Sequence, residues 1–310
     1  MKKISILIPT YNEVENVFII SQRLVTIFNT ALTNYDYEIV FIDNYSVDNT
    51  RESIRKICAE NNKIKAIFNA KNFGHIRSPY YGMCQTTGDC TIFMCADLQD
   101  PPEMIVDFVK EWENGFKIVI GIKSKSKENR LMYFFRSCYY KAIKKMADVE
   151  QIEHFTGFGL YDKKFIEIMD KLDDPMPYLR GIVAELGFAR KEIPYEQQKR
   201  LHGKTKNNWY TLYDIGMLGI TSYSKVLMRL ATIIGFVFSA ISLIIALIYF
   251  VLKLIYWDKF PMGMAPVLIG VFVIGSIQVF FIGLLGEYIL NINTRVMKRP
   301  LVIEEERINL

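Results

Sequence analysis

Two stretches constrain what this chain can become before any motif is read. Residues 230–252 run for 23 positions without a charged side chain, and residues 260–286 for another 27. As helices rising about 1.5 Å per residue, either stretch covers the roughly 30 Å hydrocarbon core of a bilayer. Soluble helices carry charge at shorter intervals, so a chain that is 51% hydrophobic and still 23% charged must segregate its residues. The expectation is a polar domain followed by two membrane helices, at 230–256 and 260–288. Lys225 and Arg229 precede the first run and Arg295, Lys298 and Arg299 follow the second, whereas the connector holds Lys253, Asp258 and Lys259. Excess basic residues mark the cytosolic flank of a span. Both ends of the hairpin, the N-terminal domain and the tail at 289–310 are thereby expected in the cytosol, in a multi-pass protein of the cell (inner) membrane.

The polar region, 1–207, alternates strand and helix. The run ISILI (4–8) ends at Pro9 and is followed by a polar turn and a helix-periodic segment, 14–28. Residues 37–42, the loop DNYSVDNT and a helix over 51–60 repeat the unit, and 65–69, 91–94 and 117–122 read as further strands. Such alternation predicts an α/β domain with a mostly parallel sheet, whose ligands bind beyond the carboxyl ends of the strands. The polar clusters at 9–13, 43–48 and 95–100 all fall at such ends, so three loops converge on one crevice. Between 129 and 146 basic and aromatic residues alternate, giving a helix whose apolar face is flanked by Arg130, Arg136, Lys141, Lys144 and Lys145. That helix suits an anionic membrane surface or an acceptor phosphate, and equally suits ordinary packing on the sheet. A juxtamembrane amphipathic helix is expected at 208–229, and the terminal EEERINL as a solvated tail. Five cysteines without CxxC spacing indicate neither a disulfide framework nor a zinc site, and fit a reducing compartment. The opening apolar run is too short for the core of a signal peptide.

Pro9-Thr10-Tyr11-Asn12-Glu13, the Asp43-Asn44-Tyr45-Ser46 loop, and the run Asp97-Leu98-Gln99-Asp100-Pro101-Pro102-Glu103 resemble, in order and spacing, the family 2 glycosyltransferases. More narrowly they resemble the polyisoprenyl-phosphate group, which contains dolichol-phosphate mannose synthase and bacterial two-span bactoprenol glucosyltransferases. The motifs cover about residues 4–206, and the hairpin extends the likeness to nearly the whole chain. The resemblance implies a GT-A-like fold, a nucleotide-sugar donor, a divalent cation (Mg2+ or Mn2+) and a membrane polyprenyl phosphate of undecaprenyl or dolichyl type. No nucleic-acid partner is implied. Nucleotide binding is implied for Pro9, Tyr11, Glu13, Ile42, Asp43, Asn44, Ala96, Lys123, Arg200 and Lys206. In that scheme Tyr11 lines or stacks on the base and Glu13 accepts from the ribose hydroxyls. Asn44 stands where the family has a second Asp, so Asp43 shares the base contact. Structural readings stand beside these: a strand-ending turn for Pro9 and a helix-dipole role for Glu13.

A departing diphosphate needs compensation by a hard cation on oxygen ligands. Asp97 is the first candidate ligand, and Gln99, two residues on along an extended segment, is the second. Asp100, before Pro101, Pro102 and Glu103, reads as a helix N-cap with Pro at N1 and Glu at N3. Cys95 stands where the family has an acidic residue; it either softens the metal preference or is a small buried hydrophobe. His154, in HFTGFGLYD, stands where the family has an Asp discussed as a base. A phosphate monoester has a second pKa of about 6 and arrives ionised, so His154 orients the acceptor, acts as a weak base, or is structural, with Glu153 as a secondary candidate. Lys123, Arg200 and Lys206 match basic positions that stabilise charge on the leaving diphosphate. The implied catalytic set is Asp97, His154 and Arg200, and the implied reaction is inverting sugar transfer from nucleotide to polyprenyl phosphate. Two alternatives stand: transfer to a lipid-linked saccharide or growing polysaccharide, and a non-catalytic, membrane-anchored nucleotide-sugar binder. Homo-oligomers through the spans are compatible with either.

Overall fold

The computed structural model describes residues 1–125, 152, 154–172, 174–198, 217, 226–256, 264–297 and 299–310. Strand β1 (Lys3–Thr10) is the expected apolar run, with Ile4, Ile6, Leu7 and Ile8 wholly buried. Burial on both faces is what a central parallel strand requires. Helix α1 (Val14–Thr30) turns Val17, Ile20, Leu24 and Phe28 inward at helical spacing. The unit repeats as β2 (Asp36–Asp43), α2 (Thr50–Glu60) and β3 (Ile64–Asn69). Then follow α3 (Gly74–Cys84), β4 (Cys90–Phe93), α4 (Met104–Glu113) and β5 (Ile118–Lys125). Strand β6 (Phe155–Asp162), helices α5 (Lys163–Lys171) and α6 (Leu179–Glu185), and strand β7 (Arg190–Glu196) complete the N-terminal region.

The described strands form one sheet in the order β7-β5-β6-β4-β1-β2-β3-β8. β1 runs parallel to β2 and β4, β2 to β3, and β5 to β7, whereas β6 is antiparallel to β4 and β5. The carboxyl ends of β1 to β5 and β7 therefore lie at one end of the sheet, together with the start of β6. One core cluster joins the sheet to α1, α2 and α4, and a second, on the opposite face, joins it to α3, α5 and α6. β6 fits between β4 and β5 because Gly159 lies against the Val119 backbone, where an added Cβ would stand 2.5 Å from the carbonyl oxygen.

Two long helices follow, α7 (Val226–Ile255) and α8 (Met264–Val296). Within α8, Val273–Thr294 is long and apolar enough to cross a membrane, and its apolar side chains, such as Val279, Phe280 and Ile282, are exposed. α8 runs eight residues beyond the expected end at 288, and the expected start at 260 lies outside the described residues. The terminal EEERINL corrects the reading of a solvated tail. Glu304–Ile308 is strand β8, antiparallel to β3 at the sheet edge, with Glu304 opposite Asn69 and Ile308 opposite Ala66. Its charged side chains are paired rather than merely solvated: Glu306 with Arg55 at 2.7 Å, Glu305 with Arg51 at 2.8 Å. The amphipathic segments expected at 129–146 and 208–229 lie outside the described residues, apart from Met217 and residues 226–229.

Candidate active site

The crevice at the carboxyl end of the sheet is where the backbone is least relaxed. Four non-glycine residues there have positive φ: Asn12 (55°) after β1, Tyr45 (68°) after β2, Leu98 (56°) after β4 and His154 (58°) before β6. Each such conformation costs roughly 1–3 kcal/mol and persists where surrounding contacts over-determine it, as they do at functional sites. The three loops read from the sequence and the segment around His154 meet here.

The first two loops are stitched together. The Asn12 amide donates to Ser46 Oγ at 2.8 Å, Val47 N donates to Asn12 Oδ1 at 2.8 Å, and Glu13 N donates to Thr50 Oγ1 at 2.8 Å. Glu13, half-buried at the start of α1, also accepts from Asn16 Nδ2 at 2.6 Å. Tyr11 and Pro9 line the same end of β1. Ile42 and Ala96 are core residues, so a nucleotide would meet their backbone rather than their side chains. Asp43 and Asn44, expected to share a base contact, commit their side chains within the loop. Asp43 is fully buried, and its carboxylate accepts from Ser46 N, Ser46 Oγ and Arg51 Nε. The Asn44 amide donates to Asn72 Oδ1 (2.9 Å) and the Gly74 carbonyl (3.1 Å), and accepts from Phe73 N (2.8 Å) and Asn69 Nδ2 (3.1 Å). Those four bonds exhaust an amide side chain. Both residues build the loop. Tyr45, between them and Ser46, is exposed, with the Arg51 guanidinium 5.2 Å from its ring centre.

The third loop carries the acids. Asp97 is largely buried and accepts from the Gln99 amide at 3.2 Å, a turn closed across Leu98. The segment is therefore not extended, and Gln99 does not repeat the direction of Asp97. Its side-chain amide and backbone carbonyl both meet Gln198, fastening the loop to the end of β7. Asp100 is not the expected helix cap: α4 begins at Met104, and the buried Asp100 carboxylate accepts from the Tyr195 hydroxyl on β7. Burial pushes the Asp100 carboxyl up, against the pull of Tyr195 and Lys123. Burial likewise lowers the Lys123 ammonium, while the negative fields of Asp100 and Asp97 hold it up and Arg180 lowers it further. Asp97, Asp100, Lys123 and Arg180 thus form one electrostatic cluster that also reaches Cys95 and Glu13. Cys95 packs against the second core cluster. Burial lifts its thiol well above the usual range, and Asp100, Asp97 and Glu13 lift it further, so it stays protonated at neutral pH.

His154 enters the site through its backbone, its carbonyl accepting from Lys123 N at 3.4 Å. Glu153, Arg200, Lys206, Arg130, Arg136 and Lys141 lie outside the described residues. Arg51, Tyr195 and Arg180 escaped the sequence reading as site residues, and for the last two only the sheet order brings β7 and α6 to these loops.

The family model for glycosyl transferase family 2 matches residues 5–187, which span all three loops and the strands that hold them. The chain belongs to glycosyl transferase family 2. Among proteins of this family it is 30% identical to the prophage bactoprenol glucosyl transferase homolog of Escherichia coli K12, over 96% of this chain and 97% of that one. It is 29% identical to the bactoprenol glucosyl transferase of Shigella phage SfX, over 98% and 99%. In fold it resembles the crystal structure of mannosyl-3-phosphoglycerate synthase from Rubrobacter xylanophilus, with a TM-score of 0.50 at 15% identity, covering 76% of this chain and 75% of that one. A family 2 glycosyltransferase with a GT-A-like fold is thus an enzyme of sugar transfer, and the family match spans the strained crevice.

Proposed function

We propose that this glycosyltransferase moves a sugar from a nucleotide-sugar donor to a membrane polyprenyl phosphate, with inversion, at the cytosolic membrane face. The observation that carries this reading is where the chain leaves the sheet. It enters β8 at Glu304, opposite the carboxyl end of β3, and leaves β7 at Glu196, beside the carboxyl end of β5. Both connections to the apolar helices therefore depart from the end that holds the site, at opposite edges of the sheet. The seven residues between Val296 and Glu304 reach at most about 25 Å. A crevice tethered this closely to an apolar helix suits an acceptor confined to the bilayer, whose effective concentration anchoring raises. The two bactoprenol-named relatives support the same acceptor class.

Topology follows by parity. Because β8 shares a sheet with β1 to β7, a chain that crosses a membrane at Val273–Thr294 must cross it an even number of times before returning. The 30-residue α7, with its charge-free run, is the natural second span. Basic residues at both outer flanks support a cytosolic domain with both termini in the cytosol.

In the proposed reaction an acceptor phosphate oxygen attacks the anomeric carbon, the bond from that carbon to the diphosphate oxygen breaks, and the nucleoside diphosphate leaves with both electrons. The acceptor phosphate is already ionised near neutral pH, since its second pKa is about 6, so His154 has an orienting task rather than an obligatory proton to remove. The Asp97 carboxylate fits a hard divalent cation, Mg2+ or Mn2+, which would neutralise the diphosphate when bound, whereas the expected second ligand, Gln99, turns its side-chain amide to Gln198. Among the described residues no three His, Cys, Asp or Glu side chains converge to hold a metal. The donor phosphates would complete its shell. Lys123, with Arg200 and Lys206, would stabilise charge on the departing diphosphate, while Tyr11 and Tyr45 offer aromatic faces to the base. The test is incubation of the purified full chain with labelled nucleotide sugars, undecaprenyl phosphate and Mg2+ or Mn2+. Labelled lipid extractable into organic solvent is expected. Label released only as free sugar, or transferred only to saccharide, would refute the acceptor.

A further inference from the structure

The C-terminal strand reaches the donor loops through one arginine. Arg51, at the start of α2, donates Nε to Asp43 Oδ1 at 2.8 Å, Nη2 to the Asn69 carbonyl, and Nη1 to Glu305 Oε2 on β8 at 2.8 Å. Asp43 accepts from Ser46, and Ser46 Oγ accepts from the Asn12 amide, the residue before Glu13. A continuous polar path thus runs from β8, entered eight residues after the membrane-length helix, through the loop after β2 to the loop after β1. The ends of this path differ in character. Asp43 is fully buried and Arg51 is 15% exposed at its side chain, so their pairing is fixed; Glu305 is 53% exposed and acts by aiming the fork. A lysine offers one charged nitrogen and cannot meet carboxylate, carbonyl and β8 together.

We infer that Arg51 is a positioning residue of the donor site, and that docking of β8 completes that site by fixing Arg51 between Glu305 and Asp43. The inference rests on the proposed reading of residues 9–13 and 43–48 as donor loops. Its consequence is that the segment returning from the membrane helps shape the pocket for the water-soluble substrate. Arg51 touches no reacting atom in this scheme; it acts through Asp43, Ser46 and the strained Tyr45.

The test is equilibrium binding of UDP and GDP to the full chain in detergent, with donor KM and kcat measured in parallel, for Arg51→Met, Arg51→Lys and Glu305→Arg. For whichever nucleotide binds the wild type, Kd is expected to rise about tenfold in Arg51→Met, a change worth about 1.4 kcal/mol, and less in Arg51→Lys. In Glu305→Arg, which sets like charges together, about a threefold rise is expected. The loss should fall on donor KM rather than kcat, which a merely destabilising change would not select. Unchanged Kd in Arg51→Met and Glu305→Arg, or a loss confined to kcat, overturns the inference while leaving the donor-site reading intact. Should Arg51→Met not fold, the surface variant Glu305→Arg decides by itself. A wild type that binds neither nucleotide overturns both.

Discussion

Glu38 is the place to test how this domain is held together, because it sits at the end of the sheet opposite the catalytic crevice. Its side chain, 1% exposed on β2, accepts from Ser5 Oγ at 2.6 Å, Thr87 N at 2.7 Å, Lys3 Nζ at 2.7 Å and Lys65 Nζ at 2.8 Å. Burial alone would raise its pKa, but the bonds from Lys3, Lys65, Ser5 and Thr87 outweigh burial and hold it down at about 2 rather than 4.5. A depressed carboxylate binds fewer protons folded than unfolded, so its contribution is complete above the unfolded value and is lost as pH falls toward the folded one. The full difference corresponds to about 3 kcal/mol, shrinking to about 1 kcal/mol at pH 3. Glu38→Gln keeps the shape, removes the charge and leaves two lysines facing an amide. At pH 7 the full-length variant should therefore melt about 6 °C or more below wild type. The gap should narrow to about a third of that at pH 3, read by thermal unfolding in the same detergent across the pH series. Donor binding by the surviving folded fraction should not change. A gap constant from pH 7 to pH 3 would refute the reasoning, since it would trace the loss to shape rather than to ionisation.

Four further outcomes are expected. Asp97→Ala should reduce transfer by about a thousandfold at saturating Mn2+ with an unchanged circular dichroism spectrum; near-normal turnover would remove Asp97 from the cation site. His154→Ala should cost less than Asp97→Ala, because the acceptor phosphate needs no base, and equal losses in single-turnover transfer would restore one. Replacing residues 226–296 with a flexible linker that keeps β8 should lower transfer to undecaprenyl phosphate in vesicles by about a hundredfold while donor Kd stays fixed; a parallel fall in donor binding would argue against separate roles. Gly159→Ala drives a Cβ into the Val119 carbonyl and should destabilise the domain by about 2–3 kcal/mol in urea unfolding; a stable variant would mean that β5 and β6 part easily.

The elements that were legible in the sequence are those whose burial is continuous. β1 to β4 announce themselves as apolar runs ending in polar loops, and their observed limits fall within two residues of the expected ones. α3 was missed because Gly74, at φ 85°, and Pro79 inside the helix both argue locally for a break. β7 and β8 were missed for the opposite reason, since RKEIPYE and EEERI carry charges that a sequence reader assigns to solvent. Those charges belong to edge strands, where one side faces water and the other finds Arg51, Arg55 or a neighbouring backbone. Asp100 shows the same limit within the site. The Asp-Pro-Pro-Glu pattern is a sound local signal for a cap, yet a hydroxyl from β7, 95 residues away, claims the carboxylate.

By itself the sequence determined the split between an apolar helical segment and an α/β domain, the order of the donor loops, and the family to which they belong. These follow from composition, strand length and motif spacing, which are properties of neighbours along the chain. Only the tertiary structure decided that the side chains of Asp43 and Asn44 are bonded within the loop, and that Asp100 joins Asp97 and Lys123. It alone revealed that the tail returns as β8 to brace Arg51. Each of these is a contact between segments far apart in sequence, and a buried polar group takes whichever partner the packed sheet brings within reach.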